Sequence, residues 1–304
     1  MGAGQIGGIA TLLEIDFENA AGFIGSPAQI SEAQFVVYFL SHAMIFCTGA
    51  LIEPHIVLTP ASCVFGERYR FQVFAGTHKF LVDFGAPRTV NNICIHTGYN
   101  HTTRWEECAP DNLALLVLNK QYSFHTREDL TEYVIDRVRY GSGGLDLTKH
   151  NRCYTYGWGS RRTNYLVPLL IELYRMEVTI MPKDQCYEMW NFKDKYLCVH
   201  QPKCRSEKFG ALCPDDLGSV IVCDGFIFGI MTSRLIDRPC GIGYLDMVSY
   251  KKFLTCGVDD SRDVIEHDSA YLFEFSPSDT PLTPSQLKRK SWWESHLVTP
   301  DMAN

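Results

Sequence analysis

The sequence predicts an all-β protein of barrel or sandwich type, and three observations carry that reading. Short runs of β-branched and aromatic residues, such as Phe35-Val36-Val37-Tyr38-Phe39-Leu40 and Phe71-Gln72-Val73-Phe74, recur between Gly, Pro and Asn at strand spacing. Few segments show a helical period, and many short strands with little helix pack as barrels or sandwiches. Twelve cysteines in 304 residues are an even and high count, consistent with a disulfide framework made in an oxidising compartment.

Composition narrows the function. The chain is 46% hydrophobic and 21% charged, an ordinary soluble composition. No apolar run approaches the roughly 20 residues a membrane-spanning helix needs. With 28 basic against 35 acidic residues and a net charge of −7, nothing supplies the dense Lys/Arg face of a general nucleic-acid binder. Lys288-Arg289-Lys290, the one tight basic run, reads as a solvated tail segment. No Cys-x-x-Cys pair occurs, so no zinc site is expected, nor any other metal or cofactor. Asn100-His101-Thr102 is a glycosylation acceptor sequence. Met1 to Ile6 has neither the basic, apolar character of a secretory leader nor a myristoylation signal. The cysteines outweigh this, and a secreted location is expected.

Taken in order, residues 1–30 mix Gly, Ala and scattered apolar residues and read as an N-terminal extension. Strand-like blocks follow: Cys47-Thr48-Gly49-Ala50-Leu51-Ile52, then Ile56-Val57-Leu58-Thr59-Pro60-Ala61-Ser62-Cys63, then Asp111-Asn112-Leu113-Ala114-Leu115-Leu116-Val117-Leu118. Cys153-Tyr154-Thr155-Tyr156-Gly157-Trp158-Gly159 opens the second half. A turn-rich stretch, Ala211 to Gly218, leads into the apolar run Val220-Ile221-Val222 and Cys223, and Phe228-Gly229-Ile230-Met231-Thr232-Ser233-Arg234 follows. Asp246 can cap a helix over Met247, Tyr250, Phe253 and Leu254, whose three-and-four spacing gives one apolar face.

These blocks, in this order, resemble the chymotrypsin/trypsin-like serine proteases over roughly residues 24–256. The resemblance implies a chymotrypsin-like double six-stranded β-barrel with a C-terminal helix, the first barrel about 31–140, the second with its helix about 141–256. An acidic, Pro/Ser-containing tail at 257–304 completes the chain. In the family's Cys-x-Gly-Asp-Ser-Gly-Gly-Pro loop the nucleophile position falls on Leu217, which has no atom able to attack a carbonyl. The general-base histidine falls on Ser62, whose hydroxyl cannot take up a proton at neutral pH. The orienting aspartate falls on Asn112; a one-residue slip to Asp111 would turn every strand side chain to the opposite face.

Further positions imply weakened substrate binding. Asp215 replaces the glycine whose amide helps form the oxyanion hole, where a carboxylate opposes the developing charge. Ala211 stands where trypsin-like enzymes select Lys or Arg. Thr232, Ser233 and Arg234 line the expected pocket wall, with Arg234 set where substrate backbone would lie. Asp216 is kept, yet no Lys or Arg precedes Arg68 for a tryptic activation cut. Ser219, His55, His96 and His101 have no spacing that sets a base beside a nucleophile and read as structural residues.

The resemblance also implies the pairs Cys47–Cys63, Cys153–Cys223, Cys186–Cys198 and Cys213–Cys240. A local extra pair is expected between Cys94 and Cys108, which leaves Cys204 with Cys256. The tail carries nine acidic and four basic residues, prolines typical of an extended linker, and alternating aromatics. Tyr271, Phe273, Phe275, Trp292 and Trp293 either pack on the protein's own body or dock on a partner. The resemblance, with the losses above, implies a catalytically inactive serine protease homologue of the type abundant among secreted arthropod proteins, a pseudo-protease that binds a protease or its substrate as a regulator or cofactor. A structural component docked through its tails is the alternative, and a residual hydrolase the remote one.

Overall fold

The computed structural model describes residues 25–40, 46–67, 70–80, 83–102, 110–128, 131–140, 152–159, 172–190, 195–200, 216–232, 243–256 and 270–274. In chain order the strands are β1 (Ser26–Pro27), β2 (Val36–Leu40), β3 (Phe46–Glu53), β4 (Ile56–Thr59), β5 (Gln72–Ala75), β6 (Ala86–His96), β7 (Ala114–Leu118) and β8 (Arg139–Tyr140). They continue as β9 (Cys153–Gly157), β10 (Tyr174–Ile180), β11 (Tyr196–His200), β12 (Val220–Cys223), β13 (Phe226–Met231), β14 (Gly243–Asp246) and β15 (Ala270–Glu274), with the helix α1 (Lys183–Trp190) between β10 and β11.

Two antiparallel rings of six strands close on themselves. The first runs β6-β5-β2-β3-β4-β7 and shuts through β6 and β7; the second runs β10-β11-β14-β13-β12-β9 and shuts through β10 and β9. Closure removes the free edges that open sheets leave exposed. This is the double barrel expected. Every residue of β2 is buried, because that strand faces the barrel interior on one side and the second barrel on the other. Along β10 buried and exposed residues alternate from Met176 to Ile180, the period-two pattern of a wall with one wet face.

Aromatic rings fill the seam between the barrels. Trp158, fully buried, meets Tyr38 edge-on at 5.4 Å and Phe46 at 6.0 Å. Its indole Nε1 donates to His78 O at 2.9 Å, so the ring's polar atom is satisfied while its apolar body is buried. Trp158 follows β9 in the second barrel, whereas its partners belong to the first.

Three expectations need correction. The expected C-terminal helix is two short 3-10 turns, Met247–Tyr250 and Phe253–Thr255. Asp246 does cap the first, accepting from Val248 N at 3.1 Å. Met247 and Tyr250, one 3-10 repeat apart, are both buried in the first turn, and the second buries Phe253 and Leu254.

The pairs Cys94–Cys108 and Cys204–Cys256 are both overturned, because Cys94 bonds Cys256 across 162 residues of sequence, with the Cα atoms 6.4 Å apart. The cause lies in β6. Cys94 and His96 share one face of that strand, and the His96 ring packs on Tyr250 at 5.3 Å and Phe253 at 5.2 Å. The C-terminal turns therefore lie on β6 and carry Cys256 to Cys94. Cys47–Cys63, Cys153–Cys223 and Cys186–Cys198 form as expected. Cys108, Cys204, Cys213 and Cys240 lie outside the described residues.

The outermost described strands exchange barrels. β1 pairs with β10 of the second barrel. β15 pairs antiparallel with β6 of the first, from Ala270 opposite His96 to Glu274 opposite Asn92. β5 bonds β6 only along Ala86 to Thr89, and β15 covers the edge that this short strand leaves open. Tyr271 and Phe273 thus lie on a strand paired with the chain's own barrel. Phe275, Trp292 and Trp293 lie outside the described residues.

Candidate active site

Ser62 sits in the 3-10 turn Ala61–Cys63 after β4, pinned by the Cys63–Cys47 disulfide. Asn112 sits just before β7, buried at 2% exposure, after Asp111, whose φ of 59° turns the chain sharply. The two side chains meet. Asn112 Oδ1 accepts from Ser62 N at 2.8 Å, and its Nδ2 donates to Ser62 Oγ at 3.0 Å and to Thr232 O at 3.1 Å. One neighbour is an N–H and the other a carbonyl, so this position calls for a group that both accepts and donates. An amide does so; a carboxylate, acceptor only when ionised, does not.

Replacing Asn112 with Asp sets a carboxylate oxygen against the Thr232 carbonyl. We expect the unfolding free energy to fall by about 1–3 kcal/mol at neutral pH. The deficit should close as pH falls toward about 4, where a protonated carboxyl regains a donor. Denaturant titrations at both pH values check this.

Leu217 lies at the tight turn between Asp216 and β12. Its carbonyl accepts from Thr48 N at 2.9 Å and from Thr48 Oγ1 at 3.2 Å, and its side chain is 9% exposed within the core. Gly218 has φ 98° and donates to Met231 O at 2.9 Å. A Cβ on Gly218 would stand 3.2 Å from Pro60 Cδ, two residues before Ser62. The positions assigned to base, orienting acid and nucleophile therefore gather at one seam between the barrels, joined through Pro60 and through Met231-Thr232.

Asp216 is fully buried, and its Oδ2 accepts from Trp158 N at 2.5 Å. Ser219, the neighbouring hydroxyl, donates to Tyr156 O at 2.7 Å and accepts from Asp216 N at 2.7 Å. Its backbone partners hold it as a structural bolt. Thr232 follows β13 and is buried, whereas Ala211, Asp215, Ser233 and Arg234 lie outside the described residues.

The histidines are dispersed. His55 is in the turn between β3 and β4, its backbone oxygen accepting from Leu118 N at 2.9 Å. His101 stacks on Phe65 at 4.6 Å. His96 has its pKa lowered, first by burial, with Asp111 pulling the other way. Its Nδ1 accepts from Gly98 N at 3.1 Å. The lowered pKa weakens His96 as an ion-pair partner for Asp111, from which it stands 4.0 Å away.

Asp111 Oδ1 is held by Lys195 Nζ at 2.6 Å, a tie from the first barrel to the residue before β11. Burial, with Asp111 close by, pushes the Tyr250 phenol well above its ordinary range. Sequence reasoning missed this cluster, although Asp111 was visible as the carboxylate beside Asn112. Among the described residues no group of three His, Cys, Asp or Glu side chains is placed to hold a metal ion.

Comparison with known proteins matches this architecture. A family model described as Trypsin covers residues 23–252. Prostatic glandular kallikrein-6 of Rattus norvegicus is 26% identical over 222 residues, spanning 68% of this chain and 76% of that protein. Azurocidin of Homo sapiens is 24% identical over 72% of this chain and 78% of its own. Among solved structures, neuropsin, a serine protease expressed in the limbic system of mouse brain, superposes with a TM-score of 0.60 at 19% identity, over 77% of this chain and 99% of its own. The scabies mite inactivated protease paralogue S-D1 gives 0.57 at 17% identity, over 77% and 95%.

Proposed function

The chain belongs to the trypsin family of serine proteases, and from that premise we infer that it is a catalytically silent member. On this reading it is a secreted, disulfide-bonded glycoprotein that binds a protease or a protease's protein substrate and regulates proteolysis without cleaving. The observation that carries the reading is Leu217: an aliphatic side chain at the nucleophile register, its carbonyl fastened to Thr48 by two hydrogen bonds. The Ser62–Asn112 pair supports it. A hydroxyl that accepts from a buried amide holds the position that the resemblance assigns to the imidazole, and that amide suits its neighbours better than an aspartate does. The four disulfides among the described residues favour the oxidising compartment. Three of them brace a single barrel, and Cys94–Cys256 ties the first barrel to the segment that follows the second; none depends on whether the cleft works.

The test is chemical. The folded chain incubated with a fluorophosphonate probe should take up no label under conditions that fully label an active trypsin-like enzyme. Stoichiometric labelling abolished by heat would overturn the reading. Its binding half is checked by crosslinking the chain to a protease or its substrate, with retention of the complex on size exclusion as the expected result.

A further inference from the structure

The turn that carries Ser62 continues into Phe65, whose N donates to Ala61 O at 2.7 Å. Phe65 is 40% exposed, one of three large apolar side chains left open among the described residues. Its ring stacks on His101 at 4.6 Å, with 13° between the planes, and meets Tyr99 edge-on at 5.6 Å. Between these two ring partners lies Asn100. Thr102 N and Thr102 Oγ1 both donate to Asn100 Oδ1, at 3.0 Å and 2.7 Å. Among the described residues no partner engages its Nδ2. Asn100 and Thr102 are exposed, so the fold leaves room for a bulky group there.

We propose that Asn100 carries an N-linked glycan whose first sugar rests on the Phe65 ring, so that the glycan walls the first-barrel side of the cleft. This deepens the reading of the chain as a secreted glycoprotein and rests on it. In the transfer, Asn100 Nδ2 forms a bond to the anomeric carbon of a lipid-diphosphate-linked oligosaccharide. That carbon's bond to the phosphate oxygen breaks, and the displaced Nδ2 proton is taken up as the diphosphate leaves. A pyranose offers one face of C–H groups to the electron-rich face of an aromatic ring. Its hydroxyls on the other side stay in water. Phe65 is then covered without a protein partner, and macromolecules are kept off the seam holding Ser62 and Asn112.

The test uses the full chain purified from its native source and the same chain expressed through a eukaryotic secretory pathway. Enzymatic removal of N-glycans in heavy-oxygen water should convert Asn100 to a mass-tagged aspartate in the peptide map. Deglycosylation should lower Tm by about 2 °C in the unaltered chain and by less than half as much in Phe65→Ala. An unmodified Asn100 in an exported chain with its disulfides formed overturns the glycan and leaves the secreted reading standing. Equal losses in the two chains overturn the seat on Phe65. A native chain retained in the cytosol with free thiols overturns both readings.

Discussion

Replacing Cys94 or Cys256 with serine should cost about 5 kcal/mol of unfolding free energy in the chain-entropy description of disulfides. That is the largest loss expected of any single bridge among the described residues. The bond spans 162 residues, against 70 for Cys153–Cys223, 16 for Cys47–Cys63 and 12 for Cys186–Cys198, and the entropy removed from the unfolded chain grows with the loop closed. Guanidinium titrations of both single variants and the double variant check this. The double should lose no more than either single, since one bond is removed in each case. A loss below about 1 kcal/mol would show that the C-terminal turns hold to β6 without it. Hydrogen exchange offers a local reading: the amide of Cys256, bonded to Phe253 O at 3.1 Å, should lose protection first.

Gly218→Ala should be nearly as damaging. The residue has φ 98°, a conformation that strains any side chain. A Cβ there would stand 1.9 Å from Thr48 O, which also accepts from Thr59 Oγ1 at 3.0 Å. Thr48 cannot retreat without breaking its own two bonds to Leu217. A loss above about 4 kcal/mol is expected. Gly225→Ala is the control. Its φ is 82° and nothing lies within 4 Å of the added carbon, so only the backbone cost of about 1–2 kcal/mol applies. Thermal melts of the two variants decide the matter; equal losses would mean that the close approach to Thr48 is not what fixes this turn.

Much of this molecule was legible in its residues. The strand runs point to an all-β fold, and the resemblance of the ordered blocks to the trypsin-like proteases implies the double barrel and assigns Ser62, Asn112 and Leu217 to one site. What escaped has physical causes. The Cys94–Cys256 bond joins segments far apart in sequence, which meet in the fold where His96 packs on Tyr250 and Phe253. The cap at Asp246 was readable, whereas the form of the helix was not, because Met247, Tyr250 and Phe253 fit both an α-helical face and a three-residue repeat. The short helix α1 went unread, although Pro182 before its first residue and Asp184 in its first turn are start signals. The chemistry at Asn112 needed the Thr232 carbonyl, 120 residues away, before an amide could be recognised as the better fit.

The exchange of β1 and β15 between the barrels has a consequence for cleavage of the link that joins them. A protease that nicks the backbone between β8 and β9 yields one fragment carrying β1 and another carrying β15. Each still grips the other's barrel, and Cys94–Cys256 adds a covalent clasp. A nicked molecule therefore stays whole under native conditions, and surveillance by digestion reads it as intact until a reductant and a denaturant are applied together.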